Sequence, residues 1–140
     1  MSVNDVRSSG VSVAAAVLDL DSFSEVNNSY GEEVGDLVMR QISQTLMASF
    51  GNFLIARAGG QQFFALLVGL DNKKATAFIE SLRKVVSSTP LQLQGHDISV
   101  TFSAGVSNKE VENLSQLVSI ARACLERAKE AGGDFVCGDE

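Results

Sequence analysis

The run Val11-Ser12-Val13-Ala14-Ala15-Ala16-Val17-Leu18 carries no charge and stops at Asp19-Leu20-Asp21. A strand with one face in water alternates apolar and polar residues. This run does not, so it reads as a strand buried on both faces, ending in two carboxylates. Such a strand needs structure packed on either side of its sheet, and the rest of the chain must supply it.

The elements that follow are legible from periodicity. Ser22-Phe23-Ser24-Glu25 has the spacing of a capping box, with Ser22 serving the first turn and Glu25 reaching back, so a short helix is expected towards Tyr30, ended by Gly31. Val34, Leu37, Val38, Ile42, Leu46 and Ser49 recur at helical spacing and predict a longer amphipathic helix that stops at Gly51-Asn52. Two strand-like runs, Phe53–Arg57 and Phe63–Val68, flank Gly59-Gly60, which supplies the positive φ of a tight hairpin. Ala75, Phe78, Ile79, Leu82 and Val85 or Val86 line a third amphipathic helix that must end before Pro90. The alternation from His96 to Val106 predicts one long strand. Leu114, Leu117, Val118, Ala121, Leu125 and Ala128 predict a last helix closed by Gly132-Gly133, and Phe135-Val136-Cys137 a short edge strand. This order describes an α+β fold with a central, mostly antiparallel sheet of about five strands flanked by helices. Residues 1–11 read as a polar N-terminal segment, 12–137 as the domain and 138–140 as a tail.

Composition excludes several functions. A net charge of −6 opposes binding to nucleic acid, whose affinity comes largely from clustered Lys and Arg on phosphates. No apolar run approaches the roughly 20 residues that span a bilayer, so direct membrane insertion is not expected. Cys124 and Cys137 fit no metal-ligand spacing, and with no signal peptide they read as thiols in a reducing, cytoplasmic setting. Cys124 belongs to the core of the last helix, and His96, the one histidine, is assigned no role.

In such a fold the end of the first strand and the tip of the hairpin are neighbours, so Asp19, Asp21, Gln61 and Gln62 are expected to converge. Clustered carboxylates there would hold hard divalent cations for phosphate chemistry. Here two of the four positions are amides. Asp21 reads either as a helix N-cap or as a ligand.

The motif Asp19-x-Asp21-x-Phe23-x-x-x-Asn27-x-x-x-Gly31-x-x-x-Gly35-Asp36 resembles the first signature of GGDEF domains, the family of diguanylate cyclases that condense two GTP into cyclic di-GMP. Gly59-Gly60-Gln61-Gln62-Phe63 falls where the name-giving Gly-Gly-Asp/Glu-Glu-Phe belongs. Thr101-Phe102-Ser103-Ala104-Gly105-Val106 and Ala128-Lys129 resemble two later motifs of the family. The resemblance, from about residue 12 to 137, implies the palm-like nucleotide-cyclase fold. It implies a metal-binding role for Asp19, vestigial here, and guanine recognition by Asn27 and Asp36. It also implies phosphate contact by Lys129 and by the amides at Ser22 and Phe23, at a helix start where an anion is favoured. Lys129 alone reads as a solvent-facing lysine, and Asn27 and Asp36 as solvated helix residues.

The departures from the family pattern decide the expected activity. Gln61 replaces a metal-ligating acid, Gln62 an acid linked to substrate positioning, Ser24 a lysine and Gly133 an arginine. Phe50-Gly51-Asn52-Phe53 stands where the family's feedback site has Arg-x-x-Asp, and residues 1–10 lack the usual Asp-x-Leu-Thr segment. The expectation is a catalytically inactive GGDEF domain: a regulatory or interaction module of cyclic di-GMP signalling that holds GTP without turnover, with no firm cofactor and weak Mg²⁺ affinity. Its partner would be a separate protein or an attached EAL-type or sensor domain. Two alternatives stand beside it, a weak diguanylate cyclase and a purely structural partner-binding domain.

Overall fold

A computed structural model describes residues 11–111 and 113–138. The elements run β1 (Val13–Leu20), α1 (Phe23–Tyr30), α2 (Glu32–Phe50), β2 (Leu54–Gly59), β3 (Gln62–Val68), α3 (Asn72–Ser88), β4 (Leu91–Leu93), β5 (His96–Ile98), β6 (Phe102–Ser107), α4 (Leu114–Glu130) and β7 (Val136–Gly138). The polar segment and the tail expected at the termini lie, except for Val11 and Gly138, outside the described residues.

Every residue of β1 is buried, as its uncharged run requires. Its side chains alternate between two cores. Ala14, Ala16, Leu18 and Leu20 pack with Val38, Ile42 and Leu46 of α2 and with Ile79 and Leu82 of α3. Val13, Ala15 and Val17 pack with Leu117, Ala121 and Leu125 of α4 on the opposite side. The sheet order β2-β3-β1-β6-β7 sets β1 in the middle. All neighbours are antiparallel except β6 and β7, which are parallel.

β1 extends two residues beyond the apolar run, so Asp19 lies inside the strand rather than in the loop after it. Ladder pairing carries it there: Asp19 stands opposite Gln62 on one side and Ser103 on the other. Gly59 and Gly60 take φ of 113° and 53° at the β2–β3 turn, the left-handed conformations the hairpin needs. In α3, Val86 faces the core and Val85 faces water.

Two expectations are corrected. The capping box does not form: Ser22 sits at φ 56°, its side chain caps nothing, and its carbonyl instead accepts from Glu25 N–H at 3.0 Å. A capping serine uses extended backbone to aim its hydroxyl at the first-turn amides, and the left-handed turn out of β1 removes that aim. The stretch from His96 to Val106 is two strands, not one. β5 pairs with β4 in a small separate hairpin, residues 99–101 cross to the main sheet, and β6 begins at Phe102. Ile98, Val100 and Phe102 are all buried, so the alternation reported an extended chain against the core and could not report its pairing partner.

α4 lies close on β6 because Gly105 has no side chain. A Cβ there would stand 1.9 Å from the Ala121 carbonyl oxygen and 2.3 Å from Leu125 N. Gly105→Ala is therefore expected to push the helix off the sheet and cost about 3 kcal/mol, the upper end of the usual overpacking penalty. A urea unfolding midpoint unchanged by the substitution would refute this account of the packing.

Candidate functional site

The periodicities that build the α4 layer also build the site. Val13, Ala15 and Val17 face α4, and the next residue on that face is Asp19. Leu117, Ala121 and Leu125 face β1, and the next residue of that stripe is Lys129. Two strand residues advance about 6.6 Å and four helix residues about 6 Å, so the two rows stay in step. Lys129 Nζ accordingly meets Asp19 Oδ2 at 3.2 Å and approaches Asp21 Oδ1 at 4.0 Å. Gln62, opposite Asp19 in the ladder, donates from Nε2 to the same Oδ2 at 3.4 Å. Asp19 is 6% exposed, and its Oδ1 is buried with no hydrogen-bond partner.

Asp21 is committed to the fold. Thr101 Oγ1 donates to its Oδ2 at 2.7 Å, Ser103 Oγ to its Oδ1 at 2.8 Å, and Asp134 N–H to its Oδ2 at 2.8 Å. It does not cap α1. Its carboxylate ties β1 to β6 and to the loop after α4, where Gly132, Gly133 and Asp134 have φ of 114°, 79° and 49°. Arg83 of α3 holds that loop from the far side, pairing with Asp134 at 2.7 Å and with Glu80. These hydrogen bonds hold the Glu80 carboxyl below its ordinary value of 4.5 and the Arg83 guanidinium above its own.

On α1, Asn27 lies half-buried against α2 at Gly35, where a Cβ would fall 1.8 Å from Asn27 Oδ1. Asp36 follows Gly35 and is exposed. Ser22 and Phe23 open α1, and the Glu25 amide of its first turn donates to the Ser22 carbonyl at 3.0 Å. A cleft of about 260 Å³ adjoins Ser22, lined among others by Asp21, Glu25, Tyr30 and Thr101. The structure thus brings Asp19, Asp21, Gln62 and Lys129 into contact, and Gln61 joins them through its carbonyl, which accepts from Leu20 N–H at 3.3 Å.

Comparison with known proteins decides the family. Residues 2–134 match the family described as diguanylate cyclase, GGDEF domain. The chain belongs to the GGDEF family. It is 33% identical over 127 residues to diguanylate cyclase DgcP of Pseudomonas aeruginosa, covering 89% of this chain and 19% of that protein. The GGDEF domain of DgcB from Caulobacter crescentus, solved in complex with c-di-GMP, superposes with a TM-score of 0.90 at 25% identity, covering 96% of this chain and 82% of that one. Diguanylate cyclase SiaD of Pseudomonas aeruginosa, solved with its activator SiaC, gives 0.87 at 29% identity, over 98% of this chain and 56% of that one. The chain spans 15% to 39% of the length of the curated relatives it matches.

The metal that the family resemblance implies does not fit the residues of this GGDEF domain. Of positions 19, 21, 61 and 62, two keep carboxylates; Asp21 is consumed by three donors, and Asp19 Oδ2 is taken by Lys129 and Gln62. Among the described residues only Asp19 Oδ1 of these carboxylates lacks a donor, and one carboxylate oxygen is a poor hold for Mg²⁺, which parts reluctantly with its water. No group of three or more His, Cys, Asp or Glu residues among the described residues is placed to hold a metal ion.

Sequence reasoning missed the partners of Asp21. Ser103, buried on β6 among apolar residues, was the available signal, since a buried hydroxyl needs a partner. Arg83 and Asp134 carried no signal, being 51 residues apart on separate elements.

Two outcomes are expected. Gly35→Ala should drive Asn27 from its place, and the α1 amide resonances should shift in NMR spectra while those of β2 stay; an unmoved Asn27 side-chain signal would contradict the contact. Because the Glu80 pKa is lowered on folding, its contribution is full above the ordinary value of 4.5 and fades as pH falls through the folded value. Arg83→Met should thus destabilise at about pH 7 and do so less at about pH 3. Equal destabilisation at both would rule the ion pair out as its cause.

Proposed function

We propose that this GGDEF domain holds GTP without cyclising it, and works in cyclic di-GMP signalling as a regulatory module for an attached domain or a partner protein. The observation that carries the reading is the state of Asp19: the carboxylate matching a metal ligand of the family is occupied by the Lys129 ammonium and the Gln62 amide. Nucleotidyl transfer draws several kcal/mol from metal stabilisation of the transition state, so loss of that support costs on the order of thousands-fold in rate. Support for a retained half-site comes from Asn27 and Asp36, which match the family's base-reading positions, and from the amides at the start of α1. Asn27 and Asp36 read the guanine, the amides at Ser22 and Phe23 receive the phosphates, and Lys129 reaches them from α4.

The partner side rests on the family. SiaD was solved with an activator protein, and curated relatives are several times longer than this chain. Among the described residues no helix is long and apolar enough to cross a membrane. A cytoplasmic module that senses GTP and passes its state to a neighbouring domain fits these facts.

Calorimetric titration of the purified chain with GTP and ATP, followed by chromatography for cyclic di-GMP, tests the reading. GTP should bind more tightly than ATP, no product should form, and Asn27→Ala should erase the preference. Cyclic di-GMP formed at a rate typical of cyclases would overturn the reading, and equal binding of both nucleotides would refute base recognition. No binding of either would leave a purely structural, partner-binding domain.

A further inference from the structure

The donors around Asp19 are all the protein's own. Lys129 Nζ lies 3.2 Å from Asp19 Oδ2 and 4.0 Å from Asp21 Oδ1, and Gln62 directs its amide N–H to the same Asp19 oxygen. Acids at 61 and 62 would set four carboxylates against this one ammonium, leaving negative charge to draw in a divalent ion beside the lysine. With glutamine at both positions two carboxylates remain, and Asp21 is already met by Thr101, Ser103 and the Asp134 amide. Among the described residues Asp19 is thereby left with a single charged partner, Lys129.

We propose that Lys129 is the resident cation of this site: its ammonium occupies the ground between Asp19 and Asp21 and closes it to divalent ions. An incoming ion would have to displace the ammonium from a carboxylate whose side chain is 8% exposed, or lie beside it uncompensated. Displacement gives up the ammonium's attraction to a carboxylate held largely out of water, and the ion that replaces it must itself be desolvated there. Lying beside it means repulsion between a double and a single positive charge about 4 Å apart, a factor of roughly thirty in affinity even at the dielectric of bulk water. Mg²⁺ must also shed hydration water that one carboxylate replaces poorly. The consequence for nucleotide, that GTP binding needs no Mg²⁺, rests on the reading given under Proposed function; the exclusion of divalent ions does not.

The test therefore contains no nucleotide. Mn²⁺ is titrated into the chain as purified, with free ion read by electron paramagnetic resonance. The original chain should show no saturable binding below millimolar concentrations. Lys129→Met should bind Mn²⁺ at least tens-fold more tightly, by the repulsion it removes, and adding Asp19→Asn should abolish the gain. Lys129→Gln, which keeps a long polar side chain, provides the same comparison if Lys129→Met fails to fold by circular dichroism. Micromolar Mn²⁺ binding by the original chain would overturn the proposal without any variant, and so would a folded Lys129 variant with no gain.

Discussion

The burial of β1 on both faces is the constraint on which the rest depends. Eight buried residues need cover from two sides, and the chain supplies α2 and α3 on one side and α4 on the other. The strand's alternation then assigns each residue to one of two cores. Because β1 is central, both its edges are paired, and the polar residues at its end fall between the β2–β3 turn, the start of β6 and the end of α4. The placement of Asp19 and Lys129 is therefore a by-product of core packing, continued one step past the last apolar layer.

What stands at that step is a set of charges settled internally. An unpaired carboxylate as buried as Asp19 would be strongly disfavoured, and the lysine one helical turn beyond Leu125 relieves it. Asp21 is satisfied by two hydroxyls and an amide, so it braces the sheet against the loop after α4. Arg83 extends the brace to α3 through Asp134 and Glu80. The chain belongs to the GGDEF family, and the polar centre of its fold is paired internally.

The extent to which this was legible follows from the range of each signal. Helices α2, α3 and α4 were readable because their apolar stripes repeat within a few residues, and the β2–β3 turn because Gly59 and Gly60 allow its left-handed backbone. The convergence of Asp19 with Gln62 was readable from the order of elements, and the structure brings them opposite one another in the ladder. Ser22 misled because a capping box is a local pattern, whereas its left-handed turn is set by where β1 must hand over to α1. The stretch from His96 to Val106 misled because alternation describes an extended chain and carries no information on which strand it pairs with.

The sequence by itself determined the layers, the hairpin and the family, because hydrophobic period, turn chemistry and spaced motifs act over short stretches of chain. Only the tertiary structure decided the partners of the charges. That Lys129 answers Asp19, that Thr101, Ser103 and the Asp134 amide answer Asp21, and that Gly35 and Gly105 must be bare for Asn27 and α4 to approach, are matters of distance between separate elements. No local pattern encodes such distances, since they are fixed only when the two cores close on either side of β1.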